Sequence, residues 1–304
     1  MFASFGSYGI YAYDMAGELK WEVDLGDMDI RNSFGEGSTP VIWKDSLIVL
    51  WDHNGESFLT ALDRQTGEEK WRTERAFGTN WTSPLIYEGG EVPQVIVAST
   101  TTIAYNADTG EEIWSFGGAT VEASADSGRG GGRGGRGVGG IIATPIVHQG
   151  ILIFSTGTRR GGTIHAISLD QAKGQVSEES EAFLWRNDRD APRIPSPLAH
   201  GGLLYALKGS NGLLSAIDIQ TGEAHYSSQR LDSVGDVWAT PVLANEHLYI
   251  LGRDGTVEVV TTGKKRETVA VNKLDDVFDA SPSVAGNELF IRGRENLYCI
   301  SQDK

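Results

Sequence analysis

Cysteine and long apolar runs are nearly absent from this sequence, and each shortage excludes a class of protein. Cys299 is the one cysteine among 304 residues, which excludes an internal disulfide and a zinc site built on several cysteines. Cys299 lies in the apolar run LYCI, where we expect a buried strand residue. No stretch approaches the roughly 18–20 consecutive apolar residues of a membrane-spanning helix, so we predict no membrane span.

Positive charge is also in short supply. Lysine and arginine together number 26 against 41 aspartates and glutamates, a net charge of −15. Such an acidic body disfavours nonspecific binding to nucleic acid or to an anionic membrane. Proline is scarce at nine residues while glycine reaches 39, which is typical of many short strands joined by tight turns.

One short motif recurs along the chain. It reads AYDMAGELKW at 12–21, ALDRQTGEEKW at 61–71, AYNADTGEEIW at 104–114 and AIDIQTGEAHY at 216–226. A degenerate copy begins AISLDQAKG at 166, and we assign Trp185 as the tryptophan that ends its strand. A second motif, a small polar residue before proline, accompanies the repeats at Thr39-Pro40, Ser83-Pro84, Thr144-Pro145, Ser196-Pro197, Thr240-Pro241 and Ser281-Pro282.

Each repeat unit is predicted to contain four strands, with a defined turn between the third and the fourth. The turn begins with an Asx side chain that can accept turn amides, and its glycine supplies a positive φ. These pairs are Asp63 and Gly67, Asn106 and Gly110, and Asp218 and Gly222. The tryptophan that follows can pack on the neighbouring sheet and donate through its indole nitrogen, at Trp21, Trp71 and Trp114. Four strands in a period of about 40–45 residues predict an all-β protein, a β-propeller of antiparallel blades.

The repeat resembles the tryptophan-docking repeat of the pyrroloquinoline quinone (PQQ)-like β-propeller family. That family includes quinoprotein dehydrogenases and the lipoprotein propeller of the outer-membrane β-barrel assembly machinery. RNSFGEGSTP, WDHNGESF, LKGSNGLLSAID, GRDGT and DDVFDASPSVAGNELFIRGRENLYCI are similar to bacterial PQQ-binding-like repeat proteins. The resemblance covers nearly the whole chain and implies a periplasmic or envelope-associated location with envelope proteins as partners, although MFASFGSYGI does not read as a signal peptide.

The two ends supply incomplete blades. Residues 2–26 provide only the later strands of one blade, and residues 279–304 only the first three strands of another. We therefore predict a single domain over 1–304 with about seven blade positions and partial terminal blades. A truncated eight-bladed propeller is the alternative.

The stretch SGRGGGRGGRGVGG at 127–140 falls between two repeats. It belongs to a Gly/Arg-rich inter-blade insertion at about 119–140, which we predict to be a flexible flap or a neutral insertion. An RNA-binding segment is the lesser alternative, because such segments interleave aromatic residues and this one has none.

Loops on one rim of the predicted propeller collect an unusual number of arginines. On an acidic body such a rim would concentrate anions, and concave rims carry ligands in many folds. The alternative is that these arginines pair with the neighbouring loop carboxylates. The predicted ligand-binding residues are Arg31, Asn32, Glu36, Asp52, His53, Trp81, Arg193, Lys208, Asn211, Arg253, Asp279 and Arg292.

Cofactor chemistry is weakly indicated, and we predict no cofactor. In the quinoprotein dehydrogenases a vicinal disulfide lies beside the quinone, and a chain with one cysteine cannot form that disulfide. The case for PQQ binding therefore rests on the repeat resemblance alone. The histidines show no HxH or HExxH spacing. Calcium stays open at DHNGE (52–56) and LDDVFDAS (274–281), although Asx-rich turns explain both equally well.

These observations favour a non-catalytic binding or scaffolding propeller, and we assign no catalytic residue. Its ligand would be an anionic or polyhydroxylated small molecule, or an extended partner peptide, which could also pair with an exposed strand. The alternative is an enzyme at the same rim: a hydrolase, lyase or quinone-dependent oxidoreductase acting on a carbohydrate or other polar substrate. Two close carboxylates, one with a raised pKa, would favour the enzyme.

Overall fold

The computed structural model describes residues 1–117, 142–158, 161–192, 194–208 and 211–301, and these residues are almost entirely strands and turns. The first strands are β1 (Phe2–Ser4), β2 (Ile10–Tyr13), β3 (Leu19–Val23), β4 (Val41–Trp43), β5 (Ser46–Trp51), β6 (Ser57–Asp63), β7 (Glu69–Arg75), β8 (Leu85–Tyr87), β9 (Gln94–Val97), β10 (Thr102–Asn106), β11 (Glu112–Phe116), β12 (Ile146–His148), β13 (Ile151–Thr158) and β14 (Gly161–Ser168). The others are β15 (Gly174–Val176), β16 (Phe183–Asn187), β17 (Leu198–His200), β18 (Leu203–Lys208), β19 (Leu213–Asp218), β20 (Ala224–Arg230), β21 (Val242–Ala244), β22 (His247–Leu251), β23 (Thr256–Thr261), β24 (Thr268–Lys273), β25 (Ser283–Ala285), β26 (Glu288–Arg292) and β27 (Leu297–Ser301).

These strands form seven sheets in sequence order. Four sheets have four antiparallel strands, the sheet of β8–β11 has a fifth strand, and the first and last sheets, β1–β3 and β25–β27, have three. The fold is therefore an all-β propeller of seven blades with partial terminal blades, which confirms the predicted fold class. No helix in the described ranges is long and apolar enough to cross a membrane.

Contacts divide the chain into two compact units. Unit 1 contains sheets β1–β3, β4–β7 and β8–β11, and unit 2 contains the other four. In the sheets with four or five strands the inner strands are mostly buried on both faces, because sheets pack on sheets. Every residue of β5 is buried, whereas β7, an outer strand, alternates between exposed and covered positions. That a single domain spans 1–304 stays a prediction.

The predicted turns are confirmed. Asp63 Oδ1 accepts the amides of Gln65 at 2.8 Å and Thr66 at 3.0 Å. The three turn glycines have φ of 78°, 77° and 74° at Gly67, Gly110 and Gly222.

Tryptophan docking is confirmed as well. The indole of Trp21 donates to the Arg64 carbonyl of the next sheet at 3.0 Å, and that of Trp185 to the Ile219 carbonyl at 2.8 Å. Trp114 differs, because its indole donates to the Gln94 side chain of its own sheet at 2.9 Å. The repeat that follows Trp114 is the degenerate one and lacks the Thr-Gly turn that receives the other rings.

One sheet contains a fifth strand that the repeat pattern does not predict. β15 pairs in parallel with β11, so that Trp114 lies opposite Gly174 and Phe116 opposite Val176. β15 comes from the connection between β14 and β16, where the degenerate repeat replaces the tight turn of the other units. The predicted insertion at 119–140 lies outside the described residues.

The expectation for Cys299 is wrong. The residue lies in a strand, β27, but its side chain is exposed. β27 is the outermost strand of a three-stranded sheet, and four of its five residues are exposed. An apolar run in a terminal strand therefore did not imply burial.

Candidate functional site

The predicted site residues fall in both units. Unit 1 holds Arg31, Asn32, Glu36, Asp52, His53 and Trp81, and unit 2 holds Lys208, Asn211, Arg253, Asp279 and Arg292. Arg193 lies outside the described residues. The two sets are therefore described separately.

Asp52 is a buried ion-pair residue. It lies just after β5, and its carboxylate accepts hydrogen bonds from Nε of Arg75 at 2.8 Å and from Nη2 of Arg75 at 2.9 Å. The side chains are 0% and 1% exposed. Asn80 donates to the same carboxylate at 3.3 Å, and Arg75 also donates to the Tyr105 hydroxyl. Burial lowers the Arg75 pKa, but the Asp52 charge and hydrogen bonds outweigh it and raise that pKa overall. The pair therefore fixes the β5–β6 turn.

His53 also has a structural role. Its Nδ1 accepts the Asp29 amide at 2.9 Å, and its Nε2 lies 3.0 Å from the Glu56 carbonyl. These bonds require the tautomer that carries the proton on Nε2. Both ring nitrogens are thus occupied, so the turn at 52–56 offers no imidazole ligand to a metal.

The segment around residues 30–39 has an unusual backbone. Asn32 and Ser33 are consecutive non-glycine residues with φ of 54° and 53°. Phe34 is exposed and lies with its ring 6.3 Å from the ring of Trp81, whose indole donates to the Gly35 carbonyl at 2.8 Å. The Arg31 amide is held by Thr79 Oγ1 at 2.9 Å.

This segment borders a cleft of about 380 Å³ in unit 1. Residues 4–6, 36–39 and 49–52, with Met28, Ile30 and Asn80, line it. Glu36 stands at the cleft, where its carboxylate accepts the Ser7 amide at 2.9 Å and also the Ser7 hydroxyl. Two of the predicted residues, Glu36 and Asp52, therefore meet at one cavity.

In unit 2 the predicted residues Arg253 and Asp279 form a close pair. Arg253 Nε donates to Asp279 Oδ1 at 2.6 Å, and its Nη1 lies 3.4 Å from Asp236 Oδ2. The guanidinium stacks on Trp238, 3.9 Å from the ring centroid, and Arg294 donates to Asp279 Oδ2 at 2.9 Å. We call Asp236, Trp238, Arg253, Asp279 and Arg294 the Arg253 cluster.

The remaining predicted residues of unit 2 do not join that cluster through a described contact. Lys208 Nζ lies 3.3 Å from Ser228 Oγ, and the Asn211 carbonyl accepts a hydrogen bond from Arg230 Nη1 at 3.1 Å. Arg292 is exposed at the end of β26.

Asp190, a buried carboxylate, was missed by sequence reasoning. Its side chain accepts the hydroxyls of Ser215 at 2.8 Å, Ser227 at 2.6 Å and Ser228 at 3.0 Å, and the residue is 1% exposed. Burial raises its pKa, but these hydrogen bonds outweigh it and lower the pKa overall. Asp190 lies in the charged stretch RNDRDAP, which reads as a solvated loop. The adjacent serines in the strand AHYSSQR were the available signal for a buried polar partner.

The two calcium candidates are occupied by other bonds. Asp276 accepts the amides of Val277 at 2.7 Å, Arg294 at 3.1 Å and Asn296 at 3.0 Å, and Asp279 is paired with arginine. Among the residues that the structure describes, no group of three or more histidine, cysteine, aspartate or glutamate side chains is placed to hold a metal ion.

Asp279→Asn is expected to destabilise the protein at neutral pH and not at strongly acidic pH. Burial raises the Asp279 pKa, but hydrogen bonds from Arg253 and Arg294 outweigh it and lower the pKa below the ordinary 3.8. The stabilisation is therefore present above pH 3.8 and is lost as the pH falls through the lower folded value. The pair is partly exposed, so we expect at most about 1 kcal/mol.

Thermal melting of both proteins from pH 7 down to pH 2 measures this effect. Asp275→Asn is the matched control, because it removes the charge of a neighbouring exposed carboxylate with no ion pair among the described residues. A melting-temperature difference for Asp279→Asn that persists unchanged at pH 2 would contradict the ion-pair account.

Comparison with known proteins identifies the family. The model of the family described as outer membrane protein assembly factor BamB matches residues 7–133 and 95–304. The outer membrane protein assembly factor BamB of Yersinia pestis is 23% identical over 265 residues, which are 78% of this chain and 58% of that protein. The chain thus spans less than two thirds of the length of this curated relative.

Solved structures agree on the fold. BamB from Moraxella catarrhalis has a TM-score of 0.54 at 15% identity, covering 100% of this chain and 96% of that one. A quinohemoprotein alcohol dehydrogenase from Pseudomonas putida HK5 has a TM-score of 0.61 at 15% identity, covering 99% of this chain and 63% of that one. At such low sequence identities, the similarity to these structures is evidence for the propeller fold and for nothing more. Because the family model extends over nearly all of the sequence, the chain belongs to the family of the outer membrane protein assembly factor BamB.

Proposed function

We propose that this protein is a non-catalytic scaffold that binds an extended segment of a partner protein through the Arg253 cluster. The observation that carries the proposal is Trp238, which is 40% exposed and stacked under a guanidinium that two carboxylates hold in place. Tryptophan and arginine dominate the energetics of protein interfaces, especially when they are held rigid before binding.

The charges of the cluster favour a peptide over a small anion. Arg253 and Arg294 are balanced by Asp236 and Asp279, so the cluster has no net formal charge. A free anion would have to displace an internal carboxylate. An extended peptide instead supplies backbone donors and acceptors together with apolar side chains that can cover Trp238.

Carboxyl pKa values favour binding over acid–base catalysis. Every described aspartate with a shifted pKa has it lowered, and the most deeply buried of them, Asp190, is held by serine hydroxyls. A general acid at neutral pH needs a raised pKa instead. The relatives named as outer membrane assembly factors support envelope proteins as the partners, and a periplasmic, envelope-associated location.

Trp238→Ala is expected to weaken partner binding at least about 30-fold, since truncating a central interface tryptophan costs about 2 kcal/mol or more. A photo-crosslinking amino acid at exposed Glu295, next in sequence to Arg294 of the cluster and introduced in producing cells, identifies the partner. Binding of that purified partner to the wild type and the variant then measures the effect.

Trp81→Ala is the matched control, because Trp81 is a partly exposed tryptophan of unit 1 and is not part of the Arg253 cluster. The proposal predicts that this control binds the partner as the wild type does. If the Trp238→Ala variant binds the partner with unchanged affinity, the Arg253 cluster is not part of the interface.

A further inference from the structure

The cleft of unit 1 is lined by both polar and apolar groups. Its floor is part of β5, but Val49, Leu50 and Trp51 are each only 2% exposed, so Phe5, Met28 and Ile30 supply most of its apolar surface. A volume of about 380 Å³ lies within the range of small-ligand sites, roughly 300–1,000 Å³. The apolar part of the cleft can therefore contact the hydrocarbon part of a small molecule or of one long side chain.

The formal charge of the cleft is negative. Asp52 is neutralised by Arg75 beneath the floor, in a pair with both partners buried. Glu36 is the other carboxylate in the lining, and within the described ranges it has no cationic partner. Its carboxylate lies directly over Gly6, where a Cβ would come 1.2 Å from Glu36 Oε2. The glycine thus leaves space for this negative charge beside the cleft.

A second polar group in the lining lacks a bond. The Ser38 hydroxyl is buried and has no hydrogen-bond partner among the described residues. A buried hydroxyl without a partner costs free energy that a ligand can recover.

We propose that this cleft binds an organic cation with an apolar stem, a primary ammonium on an alkyl chain. The stem lies against Phe5, Met28 and Ile30, and the ammonium group pairs with Glu36 and can donate to the Ser38 hydroxyl. A lysine side chain of a partner protein and a free alkylamine share this chemistry. The site shares no residue with the Arg253 cluster and does not depend on it.

Titration of the whole protein with n-hexylammonium, 1-hexanol and hexanoate, followed by amide NMR shifts and calorimetry, tests the proposal. We expect hexylammonium to bind about three- to fivefold more tightly than hexanol, the gain from a solvent-exposed ion pair. Hexanoate should bind most weakly. Lengthening the amine from butyl to hexyl should tighten binding up to about fourfold for each buried methylene. The amides of Gly37 and Ser38 should shift.

Glu36→Gln should remove the preference for hexylammonium over hexanol, whereas Glu91→Gln, at an exposed carboxylate away from the cleft lining, should retain it. Equal binding of hexylammonium and hexanol to the wild type, an unchanged preference in Glu36→Gln, or no saturable binding at all would each overturn the proposal. Trp238→Ala should leave hexylammonium binding unchanged, so a failure of this proposal can be told apart from a failure of the proposed function.

A blocked Ala-Lys-Ala peptide distinguishes the two sources. A peptide that competes with hexylammonium and binds more tightly points to a lysine of a partner protein. Tighter binding of the free amine points to a small molecule. Both results support the same recognition chemistry.

Discussion

Arg75→Met is expected to lower the free energy of unfolding by about 3–5 kcal/mol, because it leaves the Asp52 carboxylate buried without its cation. Asn80 remains as a neutral donor at 3.3 Å, which does not balance the charge. Chemical denaturation of the wild type and the variant, monitored by tryptophan fluorescence, measures the loss.

The matched control is Arg72→Met in the same strand. Arg72 pairs with Glu69 at 2.6 Å, but both side chains are 40% exposed, so we expect a loss of about 1 kcal/mol or less. A double variant, Asp52→Leu with Arg75→Met, should lose less than Arg75→Met alone, because no uncompensated charge stays buried. Equal losses of unfolding free energy for Arg75→Met and Arg72→Met would show that the buried ion pair stabilises the fold no more than the exposed one.

Gly255→Ala is the second substitution with a large expected effect. Gly255 ends the β22–β23 turn at a φ of 86°, and an added Cβ would lie 2.0 Å from the Leu274 carbonyl oxygen. The Leu274 amide donates to the Gly255 carbonyl at 2.9 Å, so the turn and the later segment are bonded and cannot separate freely. Positive φ costs about 1–2 kcal/mol and overpacking about 1–3 kcal/mol, so we expect a loss of about 3 kcal/mol or more.

Gly286→Ala separates these two costs. Gly286 has a φ of 61°, but nothing lies within 4 Å of its added Cβ, so only the backbone cost applies. Denaturation midpoints of both variants give the comparison. Similar losses for the two would mean that the contact with Leu274 relaxes without cost. Gly212 repeats the arrangement of Gly255, with a Cβ 2.1 Å from the Val234 carbonyl oxygen, and should respond alike.

Sequence periodicity was sufficient for the fold because its signals are local. The Asx-to-glycine turn and the docking tryptophan each lie within a dozen residues of sequence, and the structure shows both at Asp63, Gly67 and Trp21. The fifth strand β15 has no local signal, because it pairs with β11 across a long stretch of chain.

The site was harder to predict, because the position of a residue in a loop does not reveal which side chain it contacts. Asp52 was assigned to a ligand-binding rim, but Arg75 covers it from the end of β7. Arg75 shares a strand face with Trp71 and Thr73, since residues two apart point the same way, and that spacing was the available signal. The pairing of Arg253 with Asp279 was among the alternatives, but the Trp238 ring beneath it follows only from the fold.

The parallel pair of β11 and β15 also sets an order of events during synthesis. Val176 leaves the ribosome 60 residues after Phe116, the residue opposite it in the sheet. At about 5–20 residues per second this delay is roughly 3–12 seconds. For that time β11 offers its outer edge to any other nascent strand nearby. A chaperone that holds the nascent chain would therefore be most useful in this interval, before the fifth strand has been made.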